Sequence, residues 1–381
     1  MLDRAHPLSA GLAAVHLPHP VVVTSPGQVG VVSVVCVTGR ELIELGVTLA
    51  LVAAAAICHF ALGDVTTFVV TAVALAALAR LVGHATEQLG SRLGSGAAGV
   101  VQSALGNLPE LFIALFALNK GLVTVVQAAL VGSILANSIL VLGIAFLAGG
   151  LRNGVQRFNS NRARMISMLL VLSAATMGLP SLAHGFHTPA AAHSEALSLI
   201  CAGVLLIVFV ITIPTFLRST GPEEHVPARW SPLTTAIVLG SAGLLAALTS
   251  DWFVTALTPA IHTLHMSQEF TGLVIVAIAG NAVENVVGVQ LAMRNQADFA
   301  ISVILNSALQ VALALTPVLV FASLFFAPHL TLVFPVLLAL VLVIAGILVA
   351  LIVDDGESTW QEGGVLVGFY VVVAASFWWG T

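Results

Sequence analysis

Runs of about twenty apolar residues, interrupted by short polar breaks, fill the chain from residue 42 to its end. The runs fall at 42–62, 65–83, 97–118, 121–148, 163–182, 196–217, 232–252, 267–293, 297–326, 330–353 and 363–380. A helix rising ~1.5 Å per residue crosses ~30 Å of hydrocarbon in about 20 residues, so each run predicts one transmembrane helix. The runs do not alternate apolar and polar positions as the ~10-residue strands of a membrane barrel do. The expectation is an all-α polytopic membrane protein of about eleven spans, its lipid partner the bilayer.

Composition strengthens this reading. Hydrophobic residues make up 59% and charged residues only 8%, against roughly 25% charged in a soluble domain. The mean hydropathy is +1.09. There is no basic run to suggest nucleic acid as a partner, and no Walker-type phosphate loop to suggest ATP-driven work. Neither an enzymatic activity nor a cofactor is expected. Cys36, Cys58 and Cys201 are scattered without CxxC spacing, so no metal knuckle or disulfide framework is expected. A homo-oligomer is left open.

Charge sets the orientation. With the N-terminus on side one, that side collects Arg4, Arg40, Arg80, Arg92, Arg152, Arg157, Arg162, Arg164, Arg218, Arg229 and Arg294; the other side holds Lys120 alone. The positive-inside rule then predicts a cytoplasmic N-terminus and an external C-terminus. Residues 1–40 are rich in Pro and His, have no signal-peptide pattern, and are read as a disordered extension or as the result of a mis-assigned start codon. His184, His187, His193, His262 and His265 fall in outside loops as solvated groups. Glu223 and Glu224 fall in a cytoplasmic linker, and 354–364 reads as an acidic outside loop.

Polar residues inside the runs carry the chemistry. "GNLPEL" starts at Gly106 and "GNAVEN" at Gly280, 174 positions later; "GSILAN" at Gly132 is followed at the same offset by "NSALQV" at Asn306. The two motif helices are the third and eighth spans, an odd step of five, so they cross in opposite directions, the signature of an inverted repeat. Spans 2–6 (64–220) would pair with spans 7–11 (232–381), joined by a linker at 221–231, with one extra helix at 41–63. Asn107 with Glu110, and Asn281 with Glu284, lie three apart on one face. Ser133 with Asn137, and Ser307 with Gln310, share a face of the following helix. All are oxygen donors. A hard cation such as Ca²⁺ takes 6–8 oxygens, two Glu would balance its charge, and the same two could hold protons instead. Competition of that kind is the basis of antiport. Ser133 faces no evident His and is not expected to act as a nucleophile.

The paired motifs resemble those of the calcium/proton exchanger branch of the Ca²⁺/cation antiporter superfamily. "GHATEQLGSRLG" at 83–94 and "DDGESTWQEG" at 354–363 resemble the stretches before the family's first repeat and last helix. The resemblance implies an eleven-span fold with a cation site between the repeats. Glu110 and Glu284 would be the exchanging carboxylates, lined by Asn107, Asn281, Ser133, Asn137, Ser307 and Gln310. It further implies H⁺ as the coupling ion and sliding of spans 1, 2 and 7 against the motif core. The expected location is a bacterial plasma membrane. The chain departs from the family pattern at Asn285, which replaces a His, at Asn306 and Leu309, and at His84, which stands where Glu is frequent. These departures leave open an exchanger of Na⁺, K⁺ or Mn²⁺, or a cation-sensing or structural protein of the same fold.

Overall fold

The computed structural model describes residues 39–219 and 229–380, without the side chains of Arg40, 93–104, 214–219 and 282–284. The extension expected at 1–38 and most of the linker lie outside the described residues.

The chain is helical almost throughout. It opens with α1 (Gly39–Ala61), α2 (Asp64–Gly106), α3 (Leu108–Asn119) and α4 (Val123–Leu135). A π-helical segment, Ala136–Val141, leads into α5 (Leu142–Asn153), followed by β1 (Gln156–Arg157), α6 (Ser160–Gly185) and α7 (Ser194–Ser219). The second half runs through α8 (Pro232–Leu264), the short α9 (Gln268–Phe270), a π segment at Thr271–Val276, α10 (Ala277–Gly280) and α11 (Ala282–Met293). It ends with α12 (Ala297–Gln310), a third π segment at Val311–Leu315, α13 (Thr316–Ala322), α14 (Val336–Ile352), β2 (Glu357–Ser358) and α15 (Trp360–Phe377).

Among the described residues eight helices are long and apolar enough to cross a membrane. A ninth span arises if the pair Gln268–Gly280 and Asn285–Met293, bent by 64°, counts as one. The expected third and tenth spans correspond to shorter apolar helices, α3 and α14, of 12 and 17 residues. The third span is also displaced. Residues 97–106, expected within it, continue α2, which reaches 43 residues. At ~1.5 Å per residue that length exceeds a ~30 Å hydrocarbon layer about twofold. The glycines between Gly90 and Gly99 look like a loop in sequence, yet helix-forming Arg, Leu and Ala lie among them and the helix runs on.

Both motif helices break at their Asn. Asn107 (φ −93°, ψ 15°) separates α2 from α3, and Asn281 (φ −106°, ψ 21°) separates α10 from α11. The same distortion arises by two routes. Pro109, at the start of α3, has no N–H for the carbonyl one turn earlier and its ring crowds that turn. Asn281 has no such Pro; its side chain Nδ2 donates to the Ala277 carbonyl at 2.9 Å, offering the backbone an alternative partner.

The loops before α6 and before α15 meet as a two-stranded antiparallel pair, Gln156 opposite Ser358 and Arg157 opposite Glu357. Arg157 reaches Glu357 at 3.1 Å and Arg164 reaches Asp354 at 2.7 Å. The acidic stretch at 354–364 therefore lies on the same face as the Arg152–Arg164 connection, which corrects its expected placement opposite. In an eleven-span count the break between the tenth and eleventh spans falls on the same side as the break between the fourth and fifth, as the pairing of these opposite charges requires.

Packing divides the helices unevenly. One large apolar core runs through α2 to α8 and α10 to α15, with Phe68 and Leu75 of α2 and Phe253 and Leu257 of α8 inside it. Two small separate clusters join α1, α2 and α8: Val52, Ala55, Ala74, Leu78 and Ala246 in one, Leu81, Val82 and Ala242 in the other.

Candidate functional site

The site is built where α4 crosses the π segment before α10. Small residues let the backbones touch. A Cβ on Gly132 would lie 2.5 Å from Leu273 Cα, and one on Gly272 would lie 2.8 Å from Ala128 Cβ. Glycine is required at both positions by this approach, and neither glycine carries a polar signal that would mark it in sequence. At the same level Glu110 packs beside Gly280, whose added Cβ would be 3.5 Å from the Glu110 Cβ and Cγ.

One hydrogen-bonded network then ties the two halves together. Ser133 Oγ donates to Glu110 Oε1. Asn281 Nδ2 donates to Ser133 Oγ at 3.0 Å and to Glu110 Oε1 at 3.4 Å. Asn137 Nδ2 donates to Asn281 Oδ1 and to Ser307 Oγ, both at 3.1 Å. All five side chains are buried, and Glu110 is only 4% exposed. A carboxylate in so dry a place is costly to ionise unless hydrogen-bonded or paired; here hydroxyl and amide donors surround it. The Asn137 Oδ1 atom is buried with no hydrogen-bond partner, as are Asn285 Oδ1 and Asn306 Oδ1. A buried acceptor without a donor is itself an invitation to a cation or a proton donor.

Of the eight expected site residues, the structure thus joins Glu110, Ser133, Asn137, Asn281 and Ser307. Asn107 is buried at the α2–α3 break beside them but makes no hydrogen bond recorded within the network. Gln310 is half-buried, one turn beyond Ser307 on α12. Glu284 belongs to α11, and its side chain lies outside the described residues. Ser133 is held by the Glu110 carboxylate and the Asn281 amide. A narrow apolar cleft leads from Glu110 along Ile113, Ala117, Val125, Ala129 and Val276, toward the end of α3 that carries Lys120. No group of three or more His, Cys, Asp or Glu able to hold a metal occurs among the described residues. The oxygen donors here are mainly amides and hydroxyls.

Comparison with known proteins places these features in context. The family model described as "Sodium/calcium exchanger protein" matches residues 64–218 and 234–379. The Ca²⁺/H⁺ antiporter ChaA of Bacillus subtilis is 34% identical over 322 residues, covering 81% of this chain and 91% of its own. A vacuolar calcium ion transporter of Schizosaccharomyces pombe is 32% identical over 325 residues, covering 82% of this chain and 79% of its own. Among solved structures, native YfkE superposes with a TM-score of 0.75 at 31% identity, over 88% of this chain and 99% of that one. The H⁺/Ca²⁺ exchanger CAX shares the fold at 15% identity, with a TM-score of 0.71 over 89% of this chain and 92% of that one.

Proposed function

Because this chain belongs to the sodium/calcium exchanger protein family, we propose that it is a secondary-active antiporter exchanging Ca²⁺ for H⁺ across its membrane by alternating access. It is an integral membrane protein whose relatives are transporters rather than enzymes. The observation that carries the proposal is the buried Glu110, bridged through Ser133 and Asn281 to Asn137 and Ser307 on the other motif helices.

Ca²⁺ is the cargo. Glu110 and Glu284 supply charge, and Asn107, Asn281, Ser133, Asn137, Ser307 and Gln310 supply neutral oxygens or line the way to them. Ca²⁺ accepts 6–8 such ligands in flexible geometry. When Ca²⁺ leaves, the same carboxyls can hold protons instead, so the two ions compete for one set of oxygens. The repeat reading is supported by two Asn breaks of like backbone conformation 174 positions apart. On that reading eleven spans form two inverted five-helix repeats plus α1, with the bent pair counted once and α3 and α14 as short spans. The N-terminus lies in the cytoplasm, the C-terminus outside, and the membrane is a bacterial plasma membrane. The small clusters that join α1, α2 and α8 support their moving together, with α2 and α8 meeting the main core through Phe68, Leu75 and Phe253.

A second reading, altered ion choice toward Na⁺, K⁺ or Mn²⁺, is favoured by the buried, unpartnered carboxamide oxygens of Asn285 and Asn306.

The test is uptake of radiolabelled Ca²⁺ into everted membrane vesicles under an imposed pH gradient. Glu110→Gln and Glu284→Gln should each abolish uptake while the protein still inserts, and a protonophore should abolish it in the wild type. Normal uptake by Glu110→Gln would refute the site. No wild-type uptake of Ca²⁺, with uptake of Mn²⁺ or exchange of Na⁺ or K⁺, would establish the second reading.

A further inference from the structure

Three residues of α2 one turn apart, His84, Gln88 and Arg92, all reach the start of α8. The His84 ring stacks on Trp230, centroids 5.0 Å apart with 25° between the planes. Gln88 Oε1 accepts from the Arg229 and Trp230 backbone N–H groups at 2.9 and 3.4 Å, and the Arg92 guanidinium donates to the Trp230 carbonyl. Trp230 is 4% exposed. On its other side His84 meets α1. Its Nε2 lies 3.6 Å from Glu41 Oε1 and its Nδ1 lies 4.0 Å from Glu44 Oε2.

Charged groups face His84 from two helices. Glu41 and Glu44 come from α1, Glu87 interacts with it electrostatically from α2, and Arg80, 2.7 Å from Glu44, and Arg92 are cations on the same helix. From the segment leading into α8 come the Trp230 ring and the Arg229 backbone. A protonated imidazole adds a positive charge beside both α1 carboxylates and against the Trp230 ring. Elsewhere the same three helices hold to one another through the two small apolar clusters, and α2 and α8 also through the stacked rings of Phe68 and Phe253. This polar layer at one end therefore has leverage over whether they move as one body.

We propose that His84 is a proton-binding site, separate from the Glu110 network, that clasps α1, α2 and α8 together. Protonation draws Glu41 and Glu44 of α1 onto α2 while the ring stays stacked on Trp230, just before α8. Deprotonation loosens α1 at this end, where the Arg80–Glu44 pair remains. Histidine is the side chain whose charge changes near neutral pH, so the clasp tightens as the solution at this end acidifies.

A direct readout exists because a protonated imidazole stacked on an excited indole quenches its emission. Tryptophan emission of the purified full chain is titrated from about pH 8 to about pH 5, across the range of histidine ionisation. Trp230 is one of five tryptophans, so a step of at most about a fifth of the signal is expected. A second stack, His59 on Trp252 at 5.5 Å, would quench over the same range, so the titration is made in a His59→Gln background. There the step should remain, and it should vanish when His84→Gln or Trp230→Phe is added. A His59→Gln protein without the step, or a step that survives the added His84→Gln, overturns the proposal. This arm needs no transport. A second arm rests on the exchange reading: uptake into everted vesicles as external pH varies at a fixed gradient. His84→Arg should hold the acid-limb rate at all pH and His84→Gln the alkaline-limb rate. If both keep the wild-type profile, the clasp does not govern movement and the proposal falls; if nothing is transported, the emission step alone decides it.

Discussion

Substituting Gly132 by Ala adds one methyl group at the closest backbone approach in the site. The new carbon would sit 2.5 Å from Leu273 Cα and 2.7 Å from Leu273 C, where carbon atoms settle at about 3.5–4.0 Å. Main-chain atoms cannot rotate aside, so α4 and the π segment must part by about 1 Å. Forced overpacking of this kind costs about 1–3 kcal/mol. The same movement carries Ser133 away from Asn281. Their 3.0 Å hydrogen bond would stretch to about 4 Å, beyond hydrogen-bonding range. Misplacement of reacting groups by about 1 Å can cost ~100-fold in rate, and a loss of that order is expected in Ca²⁺ uptake, together with a lower unfolding temperature. Gly203→Ala is the control. Nothing lies within 4 Å of its added Cβ, and alanine is the better helix former by about 0.5–1 kcal/mol, so stability should hold or rise with transport unchanged. A Gly132→Ala protein with wild-type transport and unfolding temperature would refute the claim that this crossing sets the site geometry.

At the face where the two loops pair, the exposed and buried contacts should differ sharply. Arg157→Glu breaks an ion pair whose side chains are 83% and 43% exposed and should cost less than ~1 kcal/mol. Gln156→Ala removes a buried amide that donates to Ala292 O at 2.9 Å and Asn295 Oδ1 at 3.0 Å and should cost about 1–3 kcal/mol. Thermal unfolding in detergent orders the two, and the reverse order would be inconsistent with this account. At the site itself, Asn281 turns an N–H toward Glu110, whereas Ca²⁺ requires oxygen. A Ca²⁺-bound structure should show the amide rotated so that Oδ1 faces the ion; Nδ2 still directed at Glu110 beside a bound ion would contradict the assigned role of Asn281.

The membrane class and the polar centre were legible because burial in lipid is expensive for charge. A Glu in an apolar run is conspicuous, and two Asn–Glu pairs at one offset are more so. Ser133, Asn137 and Ser307 could be grouped with them by helical spacing alone, and their side chains do meet. Spacing could not say that Asn281 would be the hub, bonded to Glu110, Ser133, Asn137 and its own Ala277 carbonyl. That role depends on a helix break, and the break depends on which helices press against it.

The parts that were not legible depend on partners distant in sequence. Gly132 opens a quoted motif, but Gly272 reads as an ordinary small residue, because a close approach leaves no trace except the absence of a side chain. Residues 97–106 looked like the start of a new span, since hydropathy records solubility in lipid and not the continuity of a helix; α2 runs through them to Gly106. The 354–364 loop was expected outside, yet the cations it pairs with lie almost 200 residues earlier, at Arg157 and Arg164. Like-signed loops can be counted from a sequence, but a salt bridge joins opposite signs on one face. An acidic loop close to an arginine-rich one is therefore better explained by pairing with it than by standing on the opposite side.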